Sequence, residues 1–485
     1  MSIILTTLNA RYSHASLGLR YLHANMGDLR DRTRVLEFVI GLNPSVIVER
    51  LLCFKPRILG FGVYIWNVSE TTAVVALLRR VAPEVKIILG GPEVSHETSA
   101  QIIVDHADYV ITGWGEISLP RLCGEILAGI VPAEKIHAGV QVPLNNLTLP
   151  YALYTDEDIA HRNIYVEASR GCPFKCEFCL SALDKTAWPF DLDSFLAEME
   201  ALHARGARRF KFVDRTFNLN IESSLKIMRF FLGKMGSGPG DELFAHFELI
   251  PDGLPDALKR VIAEFPPGTL QLEIGVQTLN PEVQALISRR QDNERSLNNI
   301  GWLREHSHAH LHADLIVGLP GEDMASFGRG FDQLYSLRPQ EIQVGILKRL
   351  RGTPIIRYSR SHGLIFDPSP PYRILATDHI DFPTMQRLVR FGRYWDLVAN
   401  SGRYTNNLPA LLGDKPFQNF MAWSDWLYAQ IGTTHGISPE RLAELMVQWQ
   451  PLNRMPGLNS SLNRLGDEAV KATQILLQRQ ARHLE

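Results

Sequence analysis

Short apolar, β-branched runs alternate with segments of helical period over most of this 485-residue chain. That alternation confines the fold to parallel sheets flanked by helices, because parallel strands need long crossovers and helices usually supply them. Up to about residue 130 the runs are Ile3–Leu8, Arg34–Ile40, Arg57–Trp66, Val85–Leu89 and Asp108–Thr112. Asn43 suits a helix N-cap and Pro44 the first helical position, which places a crossover helix between the second and third runs. An open, doubly wound parallel sheet is expected, with its ligand beyond the carboxyl ends of the strands. Those ends are Asn9–Ser16, Tyr64–Asn67, Gly90–Glu93 and Thr112–Glu116, and their glycines let a ligand approach the backbone closely.

Residues 133–163 lose the periodicity and carry Pro143 and Pro150, the pattern of a linker. From Ile164 the alternation resumes with runs at Ile164–Ser169, Arg209–Val213, Phe244–Leu249, Leu270–Val276, Leu311–Val317 and Ile342–Leu347. Six β/α units predict an incomplete parallel barrel whose site lies at the strand ends. Asn280 and Pro281 repeat the cap-and-proline signal after the fourth run. The expected organisation is therefore a first domain at 1–132, a linker, a barrel at 164–365 and a helical region at 366–485. In that last region Phe417, Phe420, Trp423, Trp426 and Tyr428 form a stripe that reads as helix core against the barrel, or else as a membrane-surface or partner groove.

Charge is nearly balanced, with 50 Lys and Arg against 52 Asp and Glu, which argues against a nucleic-acid binder working by bulk charge. The longest near-apolar run, Ile58–Trp66, is far shorter than the about 20 residues of a membrane-spanning helix. The N-terminus has neither a basic segment nor a signal-length apolar one, so a cytoplasmic enzyme is expected. Of five cysteines, Cys172, Cys176 and Cys179 fall within eight residues, while Cys53 and Cys123 sit in predicted helices as small hydrophobes. Three thiolates on one loop suit an iron–sulfur cluster or zinc. No fourth cysteine or histidine lies nearby, so a cluster would keep one iron open to substrate or cofactor; a zinc loop is the alternative.

The CxxxCxxC spacing, with Phe178 before the last cysteine and a barrel strand ahead of the loop, resembles the radical S-adenosylmethionine enzymes. The first domain, with Tyr64–Asn67, Leu89–Pro92 and Gly113–Glu116, resembles the cobalamin-binding domain of one large subgroup. The tail resembles the uncharacterised C-terminal domain of some of its members. The resemblance implies a 4Fe–4S cluster on Cys172, Cys176 and Cys179, its open iron chelating S-adenosylmethionine. Phe178 would lie against the adenine, Glu273 and Gln277 would meet the ribose, and Arg289 would pair with the methionine carboxylate. Asp214 and Arg215 stand where the family has a glycine-rich turn for the methionine amino group, or they pair with each other. Gly318 belongs to a strand-end adenine motif in which Asp314 replaces a glycine and Glu322 is shifted by one. Cobalamin would rest on Tyr64, Gly90, Gly91, Gly113, Gly115 and Glu116. Around His14 the Asp-x-His-x-x-Gly pattern of cobalt-ligating domains is missing, so cobalt would carry no histidine.

These resemblances imply a radical enzyme that methylates an unactivated carbon through methylcobalamin, served by an external donor of the flavodoxin or ferredoxin type. A cyclisation or rearrangement with the same cofactors is one rival, and an iron–sulfur redox sensor is another. Methylthiotransferases, a further relative, carry an additional cysteine trio in the first domain, where this chain has only Cys53 and Cys123. No motif marks the substrate, small molecule or peptide.

Overall fold

The computed structural model describes residues 2–184, 186–236 and 243–449. The expected helical region thus extends, from residue 450 on, outside the described residues. Its first sheet contains β1 (Ile3–Asn9), β2 (Thr33–Val39), β3 (Ile58–Gly62), β4 (Lys86–Gly90), β5 (Tyr109–Thr112) and β6 (Ile136–Ala138) in the order β2-β1-β3-β4-β5-β6, all parallel. β1 is buried along its whole length, as a central parallel strand covered on both faces must be. Chain order reverses at β1, the switch point where such sheets open a ligand crevice.

Two sequence expectations need correction here. The third run does not continue to Trp66: β3 stops at Gly62 because Asn67 folds the chain back. Its Nδ2 donates to Thr7 Oγ1, Leu8 O and Gly62 O at 3.1, 3.0 and 3.2 Å, and its Oδ1 accepts from Tyr64 N at 2.8 Å. The stretch read as a linker also contributes β6 to the first sheet, and a helix at Asp156–His161 closed by a Thr155–Asp158 capping box. β6 is only three residues long with an exposed pattern, too short to show a period.

The second sheet holds β7 (Ile164–Val166), β10 (Arg209–Phe212), β11 (Phe244–Leu249), β12 (Leu270–Gln277), β13 (His310–Val317) and β14 (Glu341–Ile346) as parallel neighbours in chain order. The two-residue strands β8 (Ser169–Arg170) and β9 (Trp188–Pro189) pair antiparallel and bracket the cysteine loop. Leu270, Leu272, Ile274 and Val276 of β12, with Leu311, Ala313, Leu315 and Val317 of β13, face the helices and build the main core. The alternate positions are polar at Gln271, Glu273, Gln277, His310, His312 and Asp314, with Gly275 and Ile316 the exceptions.

Beyond the barrel, where no strand was expected, β15 (Ile365–Phe366) and β16 (Ile374–Ala376) form a short hairpin. The helix Pro416–Ile431 buries Phe417, Phe420 and Trp423 against the helices Met324–Ser336 and Phe382–Trp395. The aromatic stripe is therefore core, apart from Tyr428, which stays exposed.

A buried charge cluster docks the first domain on the barrel. Arg20 reaches Glu37 at 3.0 Å and Asp158 at 2.7 Å, and Arg162 reaches the same two carboxylates at 3.1 and 3.4 Å. Burial opposes ionisation of Asp158, but Arg20 and the hydrogen bonds from Thr155 together outweigh it and hold the carboxyl below its ordinary value of 3.8. Replacing Arg20 by Met leaves two buried carboxylates to share Arg162 alone and should cost about 3 kcal/mol in a urea titration. The Asp158 contribution is complete above pH 3.8 and lost as pH falls through the lowered pKa. Acid unfolding of the wild type should therefore steepen below that value, and less so in Arg20→Met.

Candidate active site

The carboxyl ends of the two sheets face each other across a cleft of about 700 Å³. From the first sheet Tyr64, Gly90, Gly91, Gly113, Gly115 and Glu116 line it, and from the barrel Arg215 and Glu273 do. These are residues that the sequence placed at two separate sites, here lining one cleft. The glycines leave backbone open: a Cβ on Gly113 (φ +70°) would meet nothing within 4 Å, and one on Gly90 only Ile111 O at 3.7 Å. Gly91 is different, since its φ of +104° and a Cβ position 2.6 Å from Val63 O admit glycine alone. Tyr64 and Trp66 stack at 4.4 Å with Trp66 48% exposed, so a flat aromatic pair is presented at the cleft. His14 also lines it, edge-on to the Tyr165 ring, its pKa lowered by burial and by Arg11 and Lys211. A glycine cradle with an exposed aromatic face fits a large planar cofactor.

The barrel side is charged. Arg215 pairs with Glu248 at 3.1 Å, and not with Asp214. Asp214 instead uses both oxygens on Ser169 Oγ (2.6 Å) and Ala168 N (3.0 Å), outside the cleft lining, and burial pushes its pKa up to about 7. Glu273 lies 3.2 Å from His246 Nε2, short of hydrogen-bond alignment, since both ring nitrogens of this buried histidine lack a partner among the described residues. Burial lowers the His246 pKa with Glu273 opposing, while Glu273 is itself held below the usual carboxylate range, against its own burial, by His246, Lys211 and His312. Burial raises Glu248 to about 6, with Arg215 opposing. Lys211 lines the cleft without a hydrogen bond or ion pair among the described residues. Sequence reasoning missed Tyr165, Glu167, Lys211, His246 and Glu248. Their signal is polar residues at every second position of strands whose other face is core.

The cysteine loop is fastened at both ends. Cys172 N donates to Asp184 O at 2.9 Å, and Cys172 Sγ lies 3.7 Å from Thr216 Oγ1. Glu177, between the second and third cysteines, accepts from Ser288 Oγ and Arg357 Nη2, each at 2.7 Å, and its backbone bonds Ile287 O and Ile355 N. Arg289 directs Nη1 at Cys176 Sγ (3.9 Å) and Nη2 at Gly275 O. Burial raises the Cys176 thiol, with Arg289 opposing and the other two cysteines adding to it. The trio is thus one electrostatic unit. Among the described residues no three His, Cys, Asp or Glu side chains close on a single metal ion. An all-thiolate set on one loop, with a guanidinium donating to sulfur, fits a cluster in which each cysteine takes its own iron.

Phe178 is half-buried against the barrel core. Gln277 ends β12 with φ +67° after a register shift, and Gly318 ends β13 with φ +88°. Phe178, Gln277, Arg289 and Gly318 stand outside the cleft lining, around the cysteine loop and the strand ends. Of the remaining cysteines, Cys123 is buried, its thiol pushed up to about 12, as expected of a small hydrophobe. Cys53 is exposed at a helix end, contrary to that expectation, because the helix stops one residue before it.

Comparison with known proteins finds three family matches along the chain. Residues 3–123 match the B12 binding domain, 166–333 the Radical SAM superfamily, and 360–465 a protein family of unknown function, DUF4080. The cofactors of these domains are a 4Fe–4S cluster, S-adenosylmethionine and cobalamin. An uncharacterized methyltransferase of Pyrococcus horikoshii is 25% identical over 44% of this chain and 51% of its own length. The ribosomal protein uS12 methylthiotransferase RimO of Pelobacter propionicus is 26% identical over 39% and 43%. The chain thus spans about half the length of these curated relatives. In fold it resembles OxsB, a cobalamin-dependent S-adenosylmethionine radical enzyme, with a TM-score of 0.64 at 14% identity over 98% of this chain and 81% of that one. The radical S-adenosylmethionine methyltransferase TsrM of Kitasatospora setae gives 0.58 at 16% identity, covering 76% and 79%. No helix among the described residues is long and apolar enough to cross a membrane.

Replacing Cys172, Cys176 and Cys179 together by alanine should abolish iron binding by anaerobically reconstituted protein, measured by iron assay and charge-transfer absorbance. Replacing Cys53 or Cys123 should leave the iron content unchanged.

Proposed function

We propose that this chain, in which a B12-binding domain and a radical SAM domain precede a DUF4080 region, methylates an unactivated carbon of its substrate. The observation that carries the reading is the single cleft lined from both sheets, glycine-rich and aromatic on one wall and charged on the other. With its cofactors bound, S-adenosylmethionine would supply a 5′-deoxyadenosyl radical for hydrogen abstraction and cobalamin would supply the methyl group. The protein's part is placement, since a primary radical attacks what lies nearest.

Cys172, Cys176 and Cys179 would hold the cluster, with Arg289 beside it. Glu273 and Gln277 would orient the ribose, Phe178 and Gly318 the adenine, and Arg215 and Asp214 the turn beside the methionine group. Tyr64, Gly90, Gly91, Gly113, Gly115 and Glu116 would seat cobalamin on the opposite wall. His14 reaches this cleft through a loop without the pattern of a cobalt ligand, so cobalt is expected to lack histidine. The Co(II) form should then show no nitrogen superhyperfine splitting by electron paramagnetic resonance; splitting that vanishes in His14→Ala would reverse this point. The similarity to the uncharacterized methyltransferase of Pyrococcus horikoshii and to the methyltransferase TsrM supports methyl transfer. A methylthiotransferase is disfavoured, because Cys53 is exposed and Cys123 buried in separate helical settings and no third cysteine accompanies them. A sensor would have no use for the cleft. A flavodoxin- or ferredoxin-type donor in the cytoplasm would supply the electron.

Comparing metabolites of a deletion strain with its parent should reveal a substrate lacking one methyl group. Given that substrate and a reductant, the enzyme should form 5′-deoxyadenosine and S-adenosylhomocysteine in roughly equal amounts, as two roles for S-adenosylmethionine require. Glu273→Ala and Arg289→Ala should slow the first product more than the second. Turnover that yields 5′-deoxyadenosine without S-adenosylhomocysteine would instead indicate a cyclisation or rearrangement.

A further inference from the structure

The chain leaving β14 and the start of the DUF4080 region together grip the first domain at the loop that follows β4. Tyr372, in the β15–β16 turn, has φ +53°, a conformation rarely held by a bulky residue unless its surroundings fix it. Its hydroxyl donates to Glu93 Oε1 at 2.7 Å and accepts from Arg351 Nη2 at 2.9 Å. Arg351 also donates from Nε to Glu93 Oε1 at 2.9 Å, with its guanidinium 4.9 Å from the centre of the Tyr372 ring. Glu93 is 3% exposed and lies two residues beyond Gly91 of the cleft wall. Farther along the same loop Glu97, also left-handed at φ +50°, accepts from Arg349 at 2.6 Å and Arg351 at 3.1 Å. Gly352 packs so tightly that a Cβ would stand 2.3 Å from the His96 ring. Two non-glycine residues in a costly conformation, both bonded to Arg351, mark a contact that the rest of the structure is built to hold.

The other end of the same segment rests on the barrel. Arg349 N donates to Tyr372 O and Ile374 N to Leu347 O, which adds the turn to the chain leaving β14. A Cβ on Gly318 would lie 2.6 Å from Ile374 Cγ2 and 3.2 Å from Met385 Cε, so both side chains sit directly on the end of β13.

We propose that residues 372–385 act as a spacer, setting the position of the cobalamin loop relative to the S-adenosylmethionine end of the barrel. Tyr372 is the positioning residue on the side of the first domain and Ile374 on the side of the barrel. Neither touches the cleft, and each acts through the backbone it holds, Gly91–Glu97 in one case and Gly318 in the other. Two reacting groups carried by separate domains need such a strut, because a misplacement of about 1 Å costs a large factor in rate. The inference rests on the proposed seating of cobalamin on the first wall and S-adenosylmethionine on the second.

The test uses the full chain with its cluster reconstituted. Tyr372→Phe removes one hydroxyl and keeps the ring. The amides of Gly91 and of residues 93–97 should then exchange hydrogen about tenfold faster, and hydroxocobalamin should bind about tenfold more weakly, as loss of a hydrogen bond to a charged group predicts. S-adenosylmethionine affinity should be unchanged. Ile374→Ala should do the converse, weakening S-adenosylmethionine and sparing hydroxocobalamin. Unchanged exchange at 91–97, or equal weakening of both ligands in both variants, would overturn the spacer. Faster exchange with unchanged hydroxocobalamin affinity would overturn it too. Failure of the wild-type chain to take up hydroxocobalamin would instead overturn the cobalamin reading of the first domain.

Discussion

Arg170 is the joint on which the arrangement turns. It lies two residues before Cys172, and its guanidinium spans both halves of the molecule. Nη1 meets Glu116 of the first domain at 2.6 Å, and Nη2 meets Glu167 beside β7 at 2.6 Å. Its cation lies over the rings of Trp114 and Tyr21, 4.7 and 4.9 Å from their centres. Trp114 Nε1 in turn donates to Asp184, whose carbonyl receives the Cys172 amide. A single buried, multiply paired cation therefore ties the mouth of the first sheet to the root of the cysteine loop. Desolvating three charges is costly, and removing the guanidinium alone would leave two carboxylates without it, so the joint depends on Arg170.

The barrel interior follows from the same need. Interiors of complete parallel barrels are filled by branched apolar side chains. Here Lys211, His246, Glu248, Glu273, His312 and Asp314 occupy the inward positions of four adjacent strands. His312 lies within 3.2 Å of Asp314 and 2.9 Å of Glu341, and these carboxylates outweigh burial to hold it protonated, with a pKa of about 10. An incomplete barrel with a charged lumen cannot close on itself as a dry core. Its stability comes from the apolar outer faces packed under the helices, which frees the inner face for polar ligands.

Much of this was legible in the chain. Asn43 with Pro44 and Asn280 with Pro281 cap helices where local chemistry alone requires it, and both side chains accept from the backbone as expected. The main strands of both sheets were visible as apolar runs because parallel strands are buried on their core-facing side whatever surrounds them. The short pieces were not: β6, β8, β9, β15 and β16 have two or three residues each, below any period. Arg215 and Asp214 illustrate the same limit for the site. They are adjacent in sequence, yet they take partners on different strands, Glu248 for one and Ser169 for the other.

What the sequence determined by itself is what depends on near neighbours. The helix caps, the alternation that dictates parallel sheets and the three thiolates on one loop all fall within a few residues, where covalent spacing sets geometry. What only the tertiary structure decided is which surfaces meet. Glu93 and Tyr372 are 279 positions apart, as Arg351 and Glu93 are 258 and Glu116 and Arg170 are 54. No local pattern encodes such pairs, because a carboxylate on one loop and a guanidinium on another look alike whether solvated or joined. Only when the two sheets dock end to end does burial remove the water that would otherwise satisfy them, and the pairing then becomes obligatory.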